Sequence, residues 1–477
     1  TVESFRIDAN GTFDGDGNTL TIDNEGDATT GASEGYAVRI YGIISGSDTD
    51  IQITTPAATF ADLTPSSGTI RNLTINHASA VVELASADCV LSGNLTITAG
   101  ELNTRASSPL ALTVAGTTTI GDGSASADTS TLTCNGSTIS LGSGVTGTHS
   151  LVVDVGGTFV GGSGTHTLGS LNIKNSTAAK CTLSSGNTTI NGEGTSNKAI
   201  NIEGSNGVTN FAHGSGTVTI THDGASDIKA DGSTLALNNL TINHASANIN
   251  LKGILTVAGN LEITAGELDT DSSDYALTVT GTTTLTGTLN LNGSTASFNS
   301  GATAGGVILG TAGYINGDAD STVTMGSISA TDTGNRGVSL AGTNTINKYK
   351  ASDDKIINLL DGTVDGTTLF TVTTTDAKGF ALQDYTASLT LNPGSSTVYK
   401  LEDTMHVDHL TINSNASLTT LDGSSSRNIV ATGDCIVDGT LTGNASTITL
   451  GSLTVGGTYS ATSGTTTIAS ERSNGRA

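Results

Sequence analysis

The feature that most constrains this chain is a short alternating segment ended by glycine and reused along its length. Ala276-Leu277-Thr-Val279-Thr-Gly281, Thr284-Leu285-Thr-Gly287, Leu289-Asn-Leu291-Asn-Gly293 and Ala296-Ser-Phe298-Asn-Ser-Gly301 follow one another with at most two residues between them. Alternation puts Leu, Val and Phe on one side of an extended strand and Thr, Ser or Asn on the other. Glycine supplies the positive φ that a tight corner demands. No window shows a helical stripe.

These segments sit inside a longer repeat. Leu73-Thr-Ile-Asn-His77-Ala-Ser-Ala80 recurs as Leu240-Thr-Ile-Asn-His244-Ala-Ser-Ala247, 167 positions on. Gly93-Asn-Leu-Thr-Ile97-Thr-Ala-Gly100-Glu-Leu102 returns as Gly259-Asn-Leu-Glu-Ile263-Thr-Ala-Gly266-Glu-Leu268. Asn135-Gly-Ser-Thr138 returns as Asn292-Gly-Ser-Thr295. A third, diverged copy runs from His409-Leu410-Thr-Ile412-Asn413 through Leu441-Thr-Gly443-Asn444. Leu168-Gly-Ser-Leu171, Met325-Gly-Ser-Ile328 and Leu450-Gly-Ser-Leu453 echo one another in between.

Strands this short, with such small inward residues, fit an all-β, right-handed stacked β-solenoid; an array of β-sandwich or prism modules is the alternative. Three segments per turn predict rungs of roughly 20–25 residues. Some 20 rungs spaced about 4.8 Å apart predict a rod on the order of 100 Å. Composition agrees: with 62 Gly, 4 Pro, no Trp and 3% aromatics, the core is one of small aliphatic side chains. Asn76, Asn243 and Asn413 are expected to form side-chain ladders between rungs. The spacing divides the chain into an N-terminal cap (1–65), superrepeats 1 and 2 (66–345), an irregular insertion or transition (346–404), superrepeat 3 (405–470) and a tail (471–477). The chain begins at Thr1 rather than Met, which reads as a processed product or a part of something longer.

A net charge of −25 excludes unassisted binding to nucleic acid or anionic membranes and makes cations the natural small partners. No run approaches the roughly 20 apolar residues of a transmembrane helix, and no secretory leader is recognisable. Asp14-Gly-Asp16-Gly-Asn18 alternates oxygen donors like a calcium loop but lacks the distal glutamate, so an acidic turn is the competing reading. Asp269, Asp271 and Asp274 form a second acidic turn. His406 and His409 with Asp403 and Asp408 are the one local His/Asp cluster, whereas the repeated His77 and His244 point to a structural role in a turn. Cys89, Cys134, Cys181 and Cys435 sit in strand-like stretches as small buried hydrophobes, a disulfide between rungs being the alternative. Asn72, Asn94, Asn135, Asn239 and Asn444 open Asn-x-Ser/Thr triplets, which matter only if a glycosylating host secretes the chain. With no nucleophile motif, no phosphate loop and no tryptophan to stack on sugars, the expectation is a protein that is not an enzyme.

The phrases Gly259-Asn-Leu-Glu-Ile-Thr-Ala-Gly266, Thr280-Gly-Thr-Thr-Thr-Leu-Thr-Gly287 and Gly451-Ser-Leu-Thr-Val-Gly-Gly457-Thr-Tyr459 resemble repeats of virion structural proteins of tailed phages, tail-fibre and appendage proteins above all. The resemblance covers most of residues 66–468, and secreted bacterial adhesins share the style. It implies a rigid spacer at the virion surface, trimeric in many fibres, projecting toward a cell-surface glycan or other receptor, with no catalytic residues to carry over. A prokaryotic adhesin, sheath or surface-layer component, extracellular or on the cell surface, is the alternative.

Overall fold

The computed structural model describes the chain except for residues 2–4, 9, 24–37, 41–42, 46–48, 55–60, 66–69, 85–86, 125–128, 303–304, 331–336, 353, 361–362, 366–367, 384–385 and 470–477. Two compact units divide it, Thr1–Ile254 and Leu255–Ala477.

In the first unit, short strands, a few of them running on around a corner as one longer strand, stack in parallel on three faces, and the chain visits each face once per turn. The first face takes Thr19–Ile22, Asp50–Ile53, the start of Asn72–Leu84 and of Leu95–Asn103, then Thr118–Ile120, Leu151–Val153, Leu171–Ile173, Lys198–Ile202, Ala225–Ala230 and the end of Asn239–Lys252. The second runs from Phe5–Ile7 through Ser130–Thr133, Gly157–Val160 and Lys180–Thr182 to Phe211–Ala212. The third runs from Cys89–Leu91 through Leu112–Val114, Ile139–Leu141, His166–Leu168, Thr188–Ile190 and Thr217–Ile220 to the start of Asn239–Lys252. This is a β-solenoid, and the consecutive parallel stacking is what a sandwich of hairpins lacks.

Alternation makes the core a set of ladders. Ile22, Ile53, Ile75, Ile97, Ile120, Val153, Ile173 and Ile202 lie one above another on the first face, each fully buried. Burying each contributes about 1.5–3 kcal/mol, so the apolar gain accumulates rung by rung rather than in one central core. Parallel neighbours also satisfy the backbone of every interior strand.

The second unit repeats the plan. One face carries Leu255–Val257, Leu277–Val279, Thr295–Phe298, Thr322–Met325, Thr343–Ile346, Leu369–Val372, Ser388–Leu391 and Leu410–Ile412, then the ends of Ile429–Val437 and Thr447–Val455. A second runs unbroken from the start of Leu261–Asp269 to Thr458–Ser460, straight through 346–404 by way of Lys355–Leu359, Gly379–Leu382 and Thr397–Leu401. The described residues of 1–65 likewise carry strands on the faces of the first unit, and the tail 471–477 lies outside the described residues.

Rung length varies more than the spacing predicts. The step is 20 residues from Leu151 to its stacking partner Leu171, and 33 from Thr118 to Leu151. Strands cannot lengthen without losing register, so the surplus is placed in the corners. One corner holds the single helix among the described residues, Gly204–Thr209, which no helical signal in Gly-Ser-Asn-Gly-Val-Thr announces. In Leu95–Asn103 the corner is turned within one strand, at Gly100 (φ +95°), where a β-carbon would lie 2.6 Å from the carbonyls of both His77 and Ala80.

The asparagine ladders form at other positions than expected. Asn72 Oδ1 accepts from the amide of Asn94 (2.7 Å) and Asn94 Oδ1 from that of Thr117 (2.8 Å), while Asn260 serves Thr282 in the same way (2.9 Å). These asparagines stand at the first residue of a strand or just before it, where the side chain reaches the next rung; Asn76, Asn243 and Asn413 come after the inward Ile75, Ile242 and Ile412 instead.

Candidate functional site

The acidic turn at Asp14 is closed on itself. Asp14 Oδ1 accepts from the Asp16 amide (3.0 Å), and Asn18 donates its side-chain amide to the carbonyls of Gly15 (3.0 Å) and Asp16 (3.2 Å). Asp16 and Gly17 take positive φ (47° and 75°), the geometry of a type I′ turn closed by the Asn18 backbone amide on the Gly15 carbonyl (2.8 Å). A guanidinium lies against the turn: Arg71 donates to the Gly17 carbonyl (3.3 Å) and grips Asp50 with two contacts of 2.7 Å. That pairing holds the Asp50 carboxyl below the usual carboxylate range.

The second acidic turn is also occupied by its own structure. Asp269 accepts from the Asp271 amide (2.6 Å), from Asn290 (2.9 Å) and from Asn292 (2.7 Å), and Asp274 accepts from the Gly293 amide (2.8 Å). Among the described residues, no three His, Cys, Asp or Glu side chains gather in a metal-holding group.

His77 and His244 have equivalent roles. Each accepts through Nδ1 from the amide two residues on, Ser79 (3.2 Å) and Ser246 (3.3 Å). In the third copy His409 Nδ1 accepts from the Asp434 amide (2.8 Å), and its Nε2 lies 3.2 Å from Asp408, which also accepts from Thr432 (3.0 Å). Asp403 accepts from the Thr404 amide (2.7 Å), and His406 lies on the strand Met405–Val407. The structure thus pairs His409 with Asp408 and ties both to the neighbouring corner.

All four cysteines are free and buried. Cys181 stacks above Phe159 and Leu132, two rungs from the level of Cys134, so the disulfide alternative has no geometry to form. Burial pushes the Cys89 and Cys435 thiols up to about 12, and raises Cys134 and Cys181 as well.

One polar cluster has no counterpart in the sequence reading. On the outer side of the first face, Asn172 and Asn201 stack in register, both buried, beside the ion pairs Lys174–Glu203 (3.0 Å) and Lys229–Asp231 (2.9 Å). Lys174, Lys198 and burial together lower the pKa of the nearby His149, burial most of all. These groups come from strands about one rung apart, a spacing that varies too much for any motif to reveal it.

A smaller polar unit occurs three times. Ser137 Oγ donates to Thr104 Oγ1 (2.7 Å), which donates to the Cys134 carbonyl (2.7 Å). Ser294, Thr270 and the Leu291 carbonyl repeat this at 2.7 and 2.7 Å, and Ser446, Thr420 and the Gly443 carbonyl at 2.7 and 2.8 Å. In each copy an asparagine with positive φ makes the corner: Asn135, Asn292 and Asn444, at 48°, 46° and 47°.

No family model, curated protein or solved structure matches this chain.

Proposed function

We propose that this protein is a non-enzymatic structural element, a rigid extended spacer in a virion appendage such as a tail fibre, spike or head fibre. The observation that carries the reading is the use of its polar side chains. The acidic turns, the repeated histidines, and Asn72 and Asn94 that sequence reasoning singles out are engaged in closing turns or in contacts from one rung to the next. An enzyme site needs reactive groups held apart from such duties and aimed at a common point. Host attachment through a cell-surface glycan, and assembly as a homotrimer or with other virion proteins, follow from the same reading.

Electron microscopy of native source material labelled with antibody to this chain tests it. Label on fibres or spikes of virus particles supports the appendage. Label on cell envelopes or free filaments overturns it in favour of a prokaryotic adhesin, sheath or surface-layer component.

A further inference from the structure

We propose that His166 is an acid-sensitive latch in the third face of the first unit: neutral, it fills the core; protonated, it is expelled and loosens the rungs that contact it. The inference does not depend on the function proposed above. His166 occupies an inward position in the stack Cys89, Leu112, Ile139, His166, Thr188, Val218, Leu240, where its neighbours are mainly aliphatic. It is fully buried, and neither ring nitrogen finds a hydrogen-bond partner among the described residues, although the Gly161 backbone lies beside it. The hydroxyl of Thr188, its register partner in the next rung, is equally unpartnered. Across the interior the Phe159 ring meets it edge-on at 5.9 Å.

Apart from the Gly161 backbone, an imidazolium at this point has nothing to compensate it. The strands packed against His166, Ile139–Leu141 and Thr188–Ile190, contain no ionisable side chain, and neither does Gly157–Val160, which brings Phe159. Beyond Phe159, Cys181 turns inward as a neutral thiol, while Lys180 is exposed. Burying an unpaired charge is far costlier than burying a neutral ring, so the site accepts a proton only by opening. Burial accordingly lowers the His166 pKa from the ordinary 6.5 to about 4. The opened state takes up its proton near 6.5, so each unit of acidification below that favours opening about tenfold until the closed state itself begins to protonate, on the order of 150-fold by pH 4. Above pH 6.5 the latch is fully closed.

Amide hydrogen exchange, corrected for the intrinsic pH dependence of exchange, tests this in wild type and His166→Leu between pH 7 and 4.5. Selective loss of protection in Ile139–Leu141, His166–Leu168 and Thr188–Ile190 on acidification is expected in the wild type and absent from the variant. An equal acid response in both proteins, or no selective response in the wild type, overturns the proposal. Should the variant fail to fold, the wild-type His166 ring resonance decides by NMR. A midpoint well below 6 that tracks the loss of protection supports the latch, and a midpoint near 6.5 overturns it.

Discussion

The hydroxyl of Ser137 donates to that of Thr104, and both side chains are buried at a corner where one rung passes to the next. The same pair recurs as Ser294 with Thr270 and as Ser446 with Thr420. Each threonine spends its own proton on a carbonyl of the adjoining rung, so the two hydroxyls form a short directed chain. Such a chain is worth more intact than its parts, because the low-polarity surroundings make any unmatched hydroxyl costly.

Thr104→Val should therefore strand the Ser137 hydroxyl, the Cys134 carbonyl keeping the Ser137 amide (3.0 Å), and destabilise the first unit by about 1–3 kcal/mol. Ser137→Ala should cost less, since it removes only the terminal donor. Adding Ser137→Ala to Thr104→Val should cost less than the sum of the two, by denaturant unfolding. Strict additivity would show that the pair is not coupled.

Thr118 and Thr283 occupy equivalent ladder positions in superrepeats 1 and 2, both fully buried, with hydroxyls that find no partner among the described residues. Valine has nearly the same shape and no hydroxyl to desolvate. Thr118→Val and Thr283→Val should each raise stability, by up to about 1–2 kcal/mol, read as a higher denaturation midpoint at unchanged slope. A lower midpoint would mean that these hydroxyls are satisfied in solution.

Gly100→Ala should destabilise by about 2–4 kcal/mol, combining the strain of a positive φ with displacement of the His77 and Ala80 carbonyls. Hydrogen exchange in Asn72–Leu84 and Leu95–Asn103 would localise the damage. Unchanged protection in these strands would refute the close approach.

The buried thiols should be inert while the protein is folded. At pH 8 an aromatic disulfide reagent should label none of the four quickly, and all four after denaturation, because the Cys89 and Cys435 thiols ionise only near pH 12 and the other two are raised as well. One rapidly reacting thiol in the native protein would contradict the burial.

The Asp50–Arg71 pair sets an acid limit. Arg71 lowers the Asp50 pKa, so the pair's contribution is full above the ordinary carboxylate range and is lost as pH falls through the folded-state value. Asp50→Asn should be less stable than wild type at pH 7 and approach it near pH 2. A constant difference across that range would exclude the linkage.

Much of the architecture is readable before any coordinates, because a strand's two-residue period and a glycine corner are local properties. Leu277-Thr-Val279 and Thr283-Thr-Leu285 declare which side chains face inward, and those are the buried ones. The polar contacts were harder to foresee. Asn94 was a glycosylation triplet by sequence and is a rung connector in the structure; Asp14 and Asp16 suggested a cation loop and form a turn beside a guanidinium. Which polar group meets which depends on the rung above, and that lies 20 to 33 residues away on the first face between Thr118 and Leu171.

The repeat makes the division plain. Leu73 and Leu240 head the same eight-residue phrase, and sequence alone determines that both begin inward-facing strands. Only the tertiary structure decides that they stand on different faces, Leu73 on the first and Leu240 on the third, with Leu251 the residue that stacks in line with Leu73. Alternation is set by neighbouring residues and survives any insertion. Position around the turn is set by the summed length of every corner between, and corners absorb residues freely, so 167 positions of sequence do not amount to a whole number of turns.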